Sequence, residues 1–98
     1  MKDIIHDLNK AFENRIRLGA MSILMVTDSV DFNMFKEKLA VTDGNLASHL
    51  SALEKLGYVA VIKKFIGKKP NTSYSITKVG QKAFQDHINA LEKLLKST

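Results

Sequence analysis

The stretch TDGNLASHLSALEKLGY, Thr42 to Tyr58, decides how this chain is read. Its apolar residues Leu46, Leu50, Leu53 and Leu56 recur every three to four positions, the spacing of one helix face. Gly57 follows at once, where helices commonly stop in the left-handed conformation that glycine adopts without penalty. Thr42 and Asn45 stand at the spacing of a capping box and place the helix start. The opposite face carries Gly44, Asn45, Ser48, Ser51 and Ala52, all small or hydrogen-bonding and all uncharged. Such a helix has a leucine keel to bury and a smooth polar surface to lay against something else.

Upstream, Val41 and Thr42 form a tight connection from a short helix over Met34 to Ala40. Asn33 is the expected N-cap of that helix, and Phe35 and Leu39 its inner face. A short helix, a turn and a longer helix over residues 33–56 make a helix-turn-helix. Further back, residues 14–25 predict a helix with Ile16, Ala20, Ile23 and Leu24 inward and Arg15 and Arg17 near its start. Thr27, Asp28 and Ser29 break the pattern, and Val30 to Phe32 has room for a brief edge strand. Asp3 is placed to cap a first helix whose stripe is Ile4, Ile5, Leu8 and Phe12.

Downstream the period changes. Tyr58 to Ile66 is β-branched and aromatic-rich, the composition of a strand. Gly67 to Asn71, GKKPN, is turn chemistry, and Thr72 to Thr77 alternates as a second strand. Residues 58–77 therefore predict a lysine-tipped hairpin, the wing that follows the helix-turn-helix in a winged helix. Thr77 caps a last helix over residues 78–96. Its stripe of Val79, Ala83, Phe84, Ile88, Leu91, Leu94 and Leu95 is wider than a small core requires. Lying side by side, the terminal helices would offer Ile4, Ile5, Leu8, Phe12, Phe84, Ile88, Leu91 and Leu95 to a second copy. The expected fold is α+β, mostly α: one domain over residues 1–98, with a two-stranded wing and terminal helices forming a dimer interface.

Charge narrows the partner. The 98 residues carry 15 Lys and Arg against 10 acids, a net charge of +5, and hold no cysteine. Disulfides and thiolate metal sites are thereby excluded. Residues 1–40 hold six basic and six acidic side chains, whereas Lys55 to Gln85 holds seven lysines and no acid. A solvated basic face is one reading of that segregation, and contact with phosphates is the other. No apolar run suggests a signal peptide or a membrane span, so a cytoplasmic protein is expected. A phosphate-binding glycine loop, a nucleophile with its base and a metal cluster are all missing, so neither an enzyme nor a cofactor is expected.

With helix-turn-helix and wing both in place, the sequence resembles the winged-helix transcriptional regulators of the MarR/ArsR type. It is most similar to their small single-domain group. The likeness is carried by TDGNLASHLSALEKLGYV (42–59) and KKFIGKKPNTSYSITKVGQKAF (63–84), together with NRIRLGAMSILM (14–25). The resemblance implies a homodimer that binds a pseudo-palindromic operator in double-stranded DNA and regulates transcription, in the first instance as a repressor. The alternative is a winged helix used as a protein–protein interaction module, its basic stretch meeting an acidic protein.

The base-reading candidates are Thr42, Asn45, Ser48, His49 and Ser51. Asn45 leads them, because an amide pairs with adenine N6 and N7 through two hydrogen bonds. It also serves plainly as part of its own helix cap. His49, on the flank of the keel, suits a half-buried histidine bonded within the fold or to a phosphate. Lys55, Lys63, Lys64, Lys68, Lys69, Asn71 and Thr72 are the backbone and wing candidates. Two features depart from the family pattern: the wing carries lysines where arginines are frequent, and the helix has no Arg or Lys before Lys55. Base reading by Arg or Lys from that face is therefore unavailable. Some ArsR-type relatives place metal ligands near Asp86 and His87. Neighbours on a helix point about 100° apart, and His6 is remote in sequence, so no metal site is expected. No residue points to a small-molecule effector.

Overall fold

The computed structural model describes residues 2–96, with the side chains of Lys2 and Asp3 excepted. Helix α1, Lys2–Asp7, leads through a 3-10 turn, Lys10–Phe12, into α2, Arg15–Met25. Strand β1, Val30–Asp31, precedes α3, Phe32–Leu39, and α4, Asp43–Lys55. Strands β2, Val59–Ile66, and β3, Lys69–Ile76, form the wing, and α5, Lys78–Lys96, closes the chain. The sheet is antiparallel with order β1-β3-β2, so β1 adds a third strand to the expected pair.

The starts of α2, α3 and α4 each have a chemical cause. Asn14 caps α2 by accepting hydrogen bonds from the Ile16 and Arg17 amides, and Thr42 caps α4 by accepting from Asn45. The cap of α3 is Asp31 rather than Asn33, because the chain leaves β1 directly into the helix and the Asp31 carboxylate meets the Met34 amide. Ala40, left-handed at φ 52°, ends α3 and turns the backbone into α4. The expected continuous first helix is interrupted. Asn9 stops it by capping the 3-10 turn, which swings Phe12 away from Ile4 and Ile5. Helix α1 already includes Asp3, and the Asp3 side chain, expected as its cap, lies outside the described residues.

The core joins Leu46, Leu50 and Leu53 of α4 to Ala20, Met21 and Leu24 of α2, Phe35 of α3, and Val30, Val59 and Tyr74 of the sheet. Leu56 leaves the keel: as the C-cap of α4 it is half exposed, and Gly57 follows at φ +79°. Phe12 and Phe84 belong to this core, at 2% and 3% exposure, with ring centroids 5.1 Å apart. Both side chains are thus taken up inside the protomer, because a wide apolar stripe serves the core with some of its positions and leaves others at the surface. Helix α5 in fact buries Gly80, Phe84, His87 and Ala90, while Val79, Leu91 and Leu95 stay exposed.

One junction locks wing to helix. Thr77 donates its hydroxyl to the Gly57 carbonyl at 2.6 Å and accepts from the Gly80 amide at 2.9 Å. Its own amide donates to the Tyr58 carbonyl. A Cβ on Gly80 would lie 2.2 Å from that same carbonyl oxygen, so only glycine fits the crossing.

Candidate nucleic-acid interface

The outer surface of α4 follows from its keel. At about 100° per residue, Gly44, Ser48 and Lys55 point opposite the three buried leucines. Thr42, Asn45 and Ser48 are exposed, whereas Ser51 and His49 are half-buried. The five base-reading candidates thus separate, and the open ones lie in the first half of the helix. The Thr42 hydroxyl is engaged by the Asn45 amide at 3.3 Å. Asn45 joins that cap through its backbone, which leaves the side-chain amide facing outward.

His49 is held from behind. Arg17 donates through Nη1 to His49 Nδ1 at 2.8 Å and through Nε to the Ala11 carbonyl at 2.6 Å. Because a guanidinium only donates, Nδ1 is the acceptor and the ring proton sits on Nε2. Arg17 thereby fastens the 3-10 turn and α4 to α2. Sequence reading placed Arg17 at a helix start without a partner, since no local spacing connects residues 11, 17 and 49.

The first turn of α4 also carries an acid. Asp43 favours the helix N-terminus through the macrodipole but would repel an incoming anion. Lys36 of α3 meets it at 2.8 Å and offsets that charge. The helix-turn-helix approach is therefore close to neutral.

The wing carries the positive field. Its turn is tighter than GKKPN suggested: Gly67, at φ +64°, and Lys68 alone link the strands, and Lys69, Pro70 and Asn71 belong to β3. Proline is tolerated there because β1 pairs only with Ser73 and Tyr74, leaving one side of β3 without a neighbour at Pro70. Every residue from Ile62 to Pro70 is exposed, so the outer half of the hairpin stands clear of the body. Lys63, Lys64, Lys68 and Lys69 all lie on it, and among the described residues none of the four forms an ion pair. Lys82, the last lysine of the acid-free segment, meets Asp86 at 3.2 Å one turn later. Asn71 and Thr72 are half-buried and line a groove of about 410 Å³ with Asp31, Asn33 and Lys63.

His87, weighed with Asp86 and His6 as a metal ligand, is buried and turned inward. Its Nδ1 accepts from the Asn9 amide at 3.0 Å, and its ring packs edge-on to Phe12. Burial lowers its pKa, a nearby Glu13 opposing the shift more weakly. Asn9 also donates from Nδ2 to the Tyr58 hydroxyl, joining three distant segments that sequence inspection kept apart. No group of three His, Cys, Asp or Glu among the described residues is placed to hold a metal. Likewise no described helix is long and apolar enough to cross a membrane.

Comparison with known proteins gives a consistent setting. A family model described as a winged helix DNA-binding domain matches residues 16–95. An uncharacterised protein of Methanocaldococcus jannaschii is 36% identical over 88 residues, spanning 90% of this chain and 96% of that one. A transcriptional regulator homologue from Pyrococcus horikoshii OT3 superposes with a TM-score of 0.85 at 29% identity, over 98% of this chain and 93% of that chain. The fold is also that of MepR of S. aureus, solved as a DNA complex (TM-score 0.75, 11% identity, 98% and 82% covered). A further protein of the same fold is described as an ArsR family transcriptional regulator, RHA00566 (TM-score 0.60, 13% identity, 100% and 96% covered).

Proposed function

The chain belongs to the winged helix DNA-binding domain family, and on that premise we propose that it is a homodimeric, sequence-specific regulator acting on a pseudo-palindromic operator. The observation that carries this reading is the pairing of two surfaces. One is the open polar face at the start of α4, and the other is a projecting wing whose four lysines have no acidic partner among the described residues. Phosphate contacts from Lys63, Lys64, Lys68 and Lys69 hold the duplex without reading it. Asn45 and Ser48 then meet base edges in the major groove, with Thr42 at the groove's rim. His49 and Ser51 sit deeper, so His49 contributes through the Nε2 proton that Arg17 fixes in place. Two copies related by a two-fold axis would reach successive major grooves about 34 Å apart. Occluding a promoter in this way makes the protein a repressor, working in the cytoplasm. MepR's DNA complex shows that this fold can be occupied by DNA in another protein.

Selection from a random-sequence duplex pool tests the proposal. An inverted repeat with half-sites about one helical turn apart is the expected product. No enrichment, with the protein folded, would reject sequence-specific binding and leave the protein-interaction reading in its place.

A further inference from the structure

The wing has a second property that phosphate contact does not use. The register pairs Phe65 with Pro70 on one face of the hairpin and Ile66 with Lys69 on the other. Phe65 is 73% exposed and Ile66 61%. Strand propensity alone would be met by threonine or valine, and an exposed phenylalanine beside a proline gains nothing from the core. The tip is therefore apolar on both faces, with ammonium groups at 63, 64, 68 and 69 around it and only Gly67 and Lys68 at its apex.

We propose that Phe65, backed by Pro70 across the hairpin, is a wedge that enters the DNA minor groove and partly unstacks a base step while the surrounding lysines hold the flanking phosphates. The inference rests on the DNA-binding reading above and adds a specificity device to it. Charge complementarity selects the occupant. An apolar tip ringed by four lysines that form no ion pair among the described residues suits a site that is apolar in its centre and anionic at its rim, which is a base stack between two phosphate backbones. Strands lie about 4.8 Å apart before side chains are added, against a minor groove about 6 Å wide. The hairpin therefore cannot enter without widening the groove. Wedges of Phe, Ile and Pro in other minor-groove proteins bend the duplex by about 20–90° away from the widened groove. Pyrimidine–purine steps unstack most readily, so the wedge would favour TA or CA beneath the tip, a preference arising without a hydrogen bond to any base. A lysine wing, poorer than arginine at reading a narrow groove, is then no handicap.

The test uses 30-bp duplexes recovered by selection, each carrying a single 2-aminopurine, and end-labelled versions for energy transfer. Binding should raise the emission severalfold at one step in each half-site and shorten the end-to-end distance. Phe65→Ser should return both signals to those of free duplex while leaving the dependence of affinity on salt unchanged. Phe65→Leu, which keeps a wedge, should restore them. Because Phe65 lies outside the core, circular dichroism should be the same for all three proteins. Bound wild-type duplex with no emission change, or Phe65→Ser with signals equal to wild type, overturns the wedge while the DNA-binding reading stands. If Phe65→Ser instead changes only the mass of the DNA-free protein, the tip serves self-association and the wedge is overturned. If selection recovers no duplex at all, both readings fail together.

Discussion

Gly80 shows how one missing side chain positions a helix. Alanine would normally improve a helix interior by about 1 kcal/mol over glycine. Here its Cβ would press on the Tyr58 backbone carbonyl, which cannot move without disturbing β2 and the Thr77 cap. Gly80→Ala should therefore destabilise by about 1–3 kcal/mol or more. At Gly19 the added Cβ meets only the end of the Leu39 side chain, which has other rotamers. Gly19→Ala should be close to neutral, so urea unfolding of the two variants separates backbone obstruction from helix propensity. His87 gives a second test at this scale. Its folded-state pKa lies below the ordinary 6.5 because burial disfavours the cation. Its contribution to stability is complete above pH about 6.5, where both states are neutral. As the pH falls below that value the unfolded chain takes up the proton first. The contribution then shrinks until the folded pKa is passed. A proton on Nδ1 would also remove the acceptor of the Asn9 amide. Stability should consequently fall between pH 7.5 and 5.5, and His87→Gln should fall less over the same interval in denaturant midpoints. Sequence reading found the Thr77 cap and singled out His87, but their meanings depend on partners far along the chain.

Among the elements, periodicity was most informative where local chemistry alone sets the geometry. Helix α4 begins at the Thr42 cap and ends before Gly57 as its sequence implies, because cap and terminator lie within it. The leucine period ran one residue too far, since Leu56 keeps the spacing but follows the last helical turn. Helix α1 was drawn too long for a related reason. Asn9 does not look like a breaker until His87 and Tyr58 are seen to hold it. The wing was legible as a hairpin, but its turn was overestimated because Lys69 to Asn71 read as loop chemistry while pairing with Lys64 to Ile66. On the proposed function the elements divide the labour of binding, and variants separate the two parts. Lys68→Ala with Lys69→Ala removes four charges from a dimer. The slope of log affinity against log salt should then become shallower by about 3 to 4, with all sequences weakened alike. Asn45→Ala should leave that slope unchanged and cost about 1–3 kcal/mol at one base pair of the selected site. Affinities measured over a salt series on matched and mismatched duplexes distinguish the outcomes.

At the scale of the molecule, the protomer is extended, 54 × 25 × 21 Å, with a radius of gyration of 14.8 Å. A compact chain of this length would give about 13 Å. The projecting wing accounts for part of the excess, and the pairing of α1 with α5 bears on the rest. Those helices bury Phe12, Phe84 and His87 between themselves and the core, and turn Ile5 and Leu91 outward, at 55% and 41% exposure. Ile4, Leu8 and Ile88 lie half-buried between the two sets. The apolar pattern of the terminal helices was thus legible in the sequence, but its division into inner and outer residues required the break at Asn9. A dimer through this outer surface would carry two recognition helices and two wings on one rigid body. Its second half-site then binds at an effective concentration in the millimolar range, which raises avidity by about 10²–10⁴ over one protomer. Glutamate at Ile5 or Leu91 would put charges from both copies at the centre of the interface while leaving the protomer core untouched. Sedimentation should give wild type a mass near 22 kDa, twice the 11.0 kDa chain. Leu91→Glu should give about half of that, with an unchanged circular dichroism spectrum. Its affinity for an inverted repeat should fall to that for a single half-site, while its binding to the half-site itself stays as in wild type. A dimeric Leu91→Glu, or a monomeric wild type with full affinity for the repeat, would place the two-fold axis elsewhere or remove it.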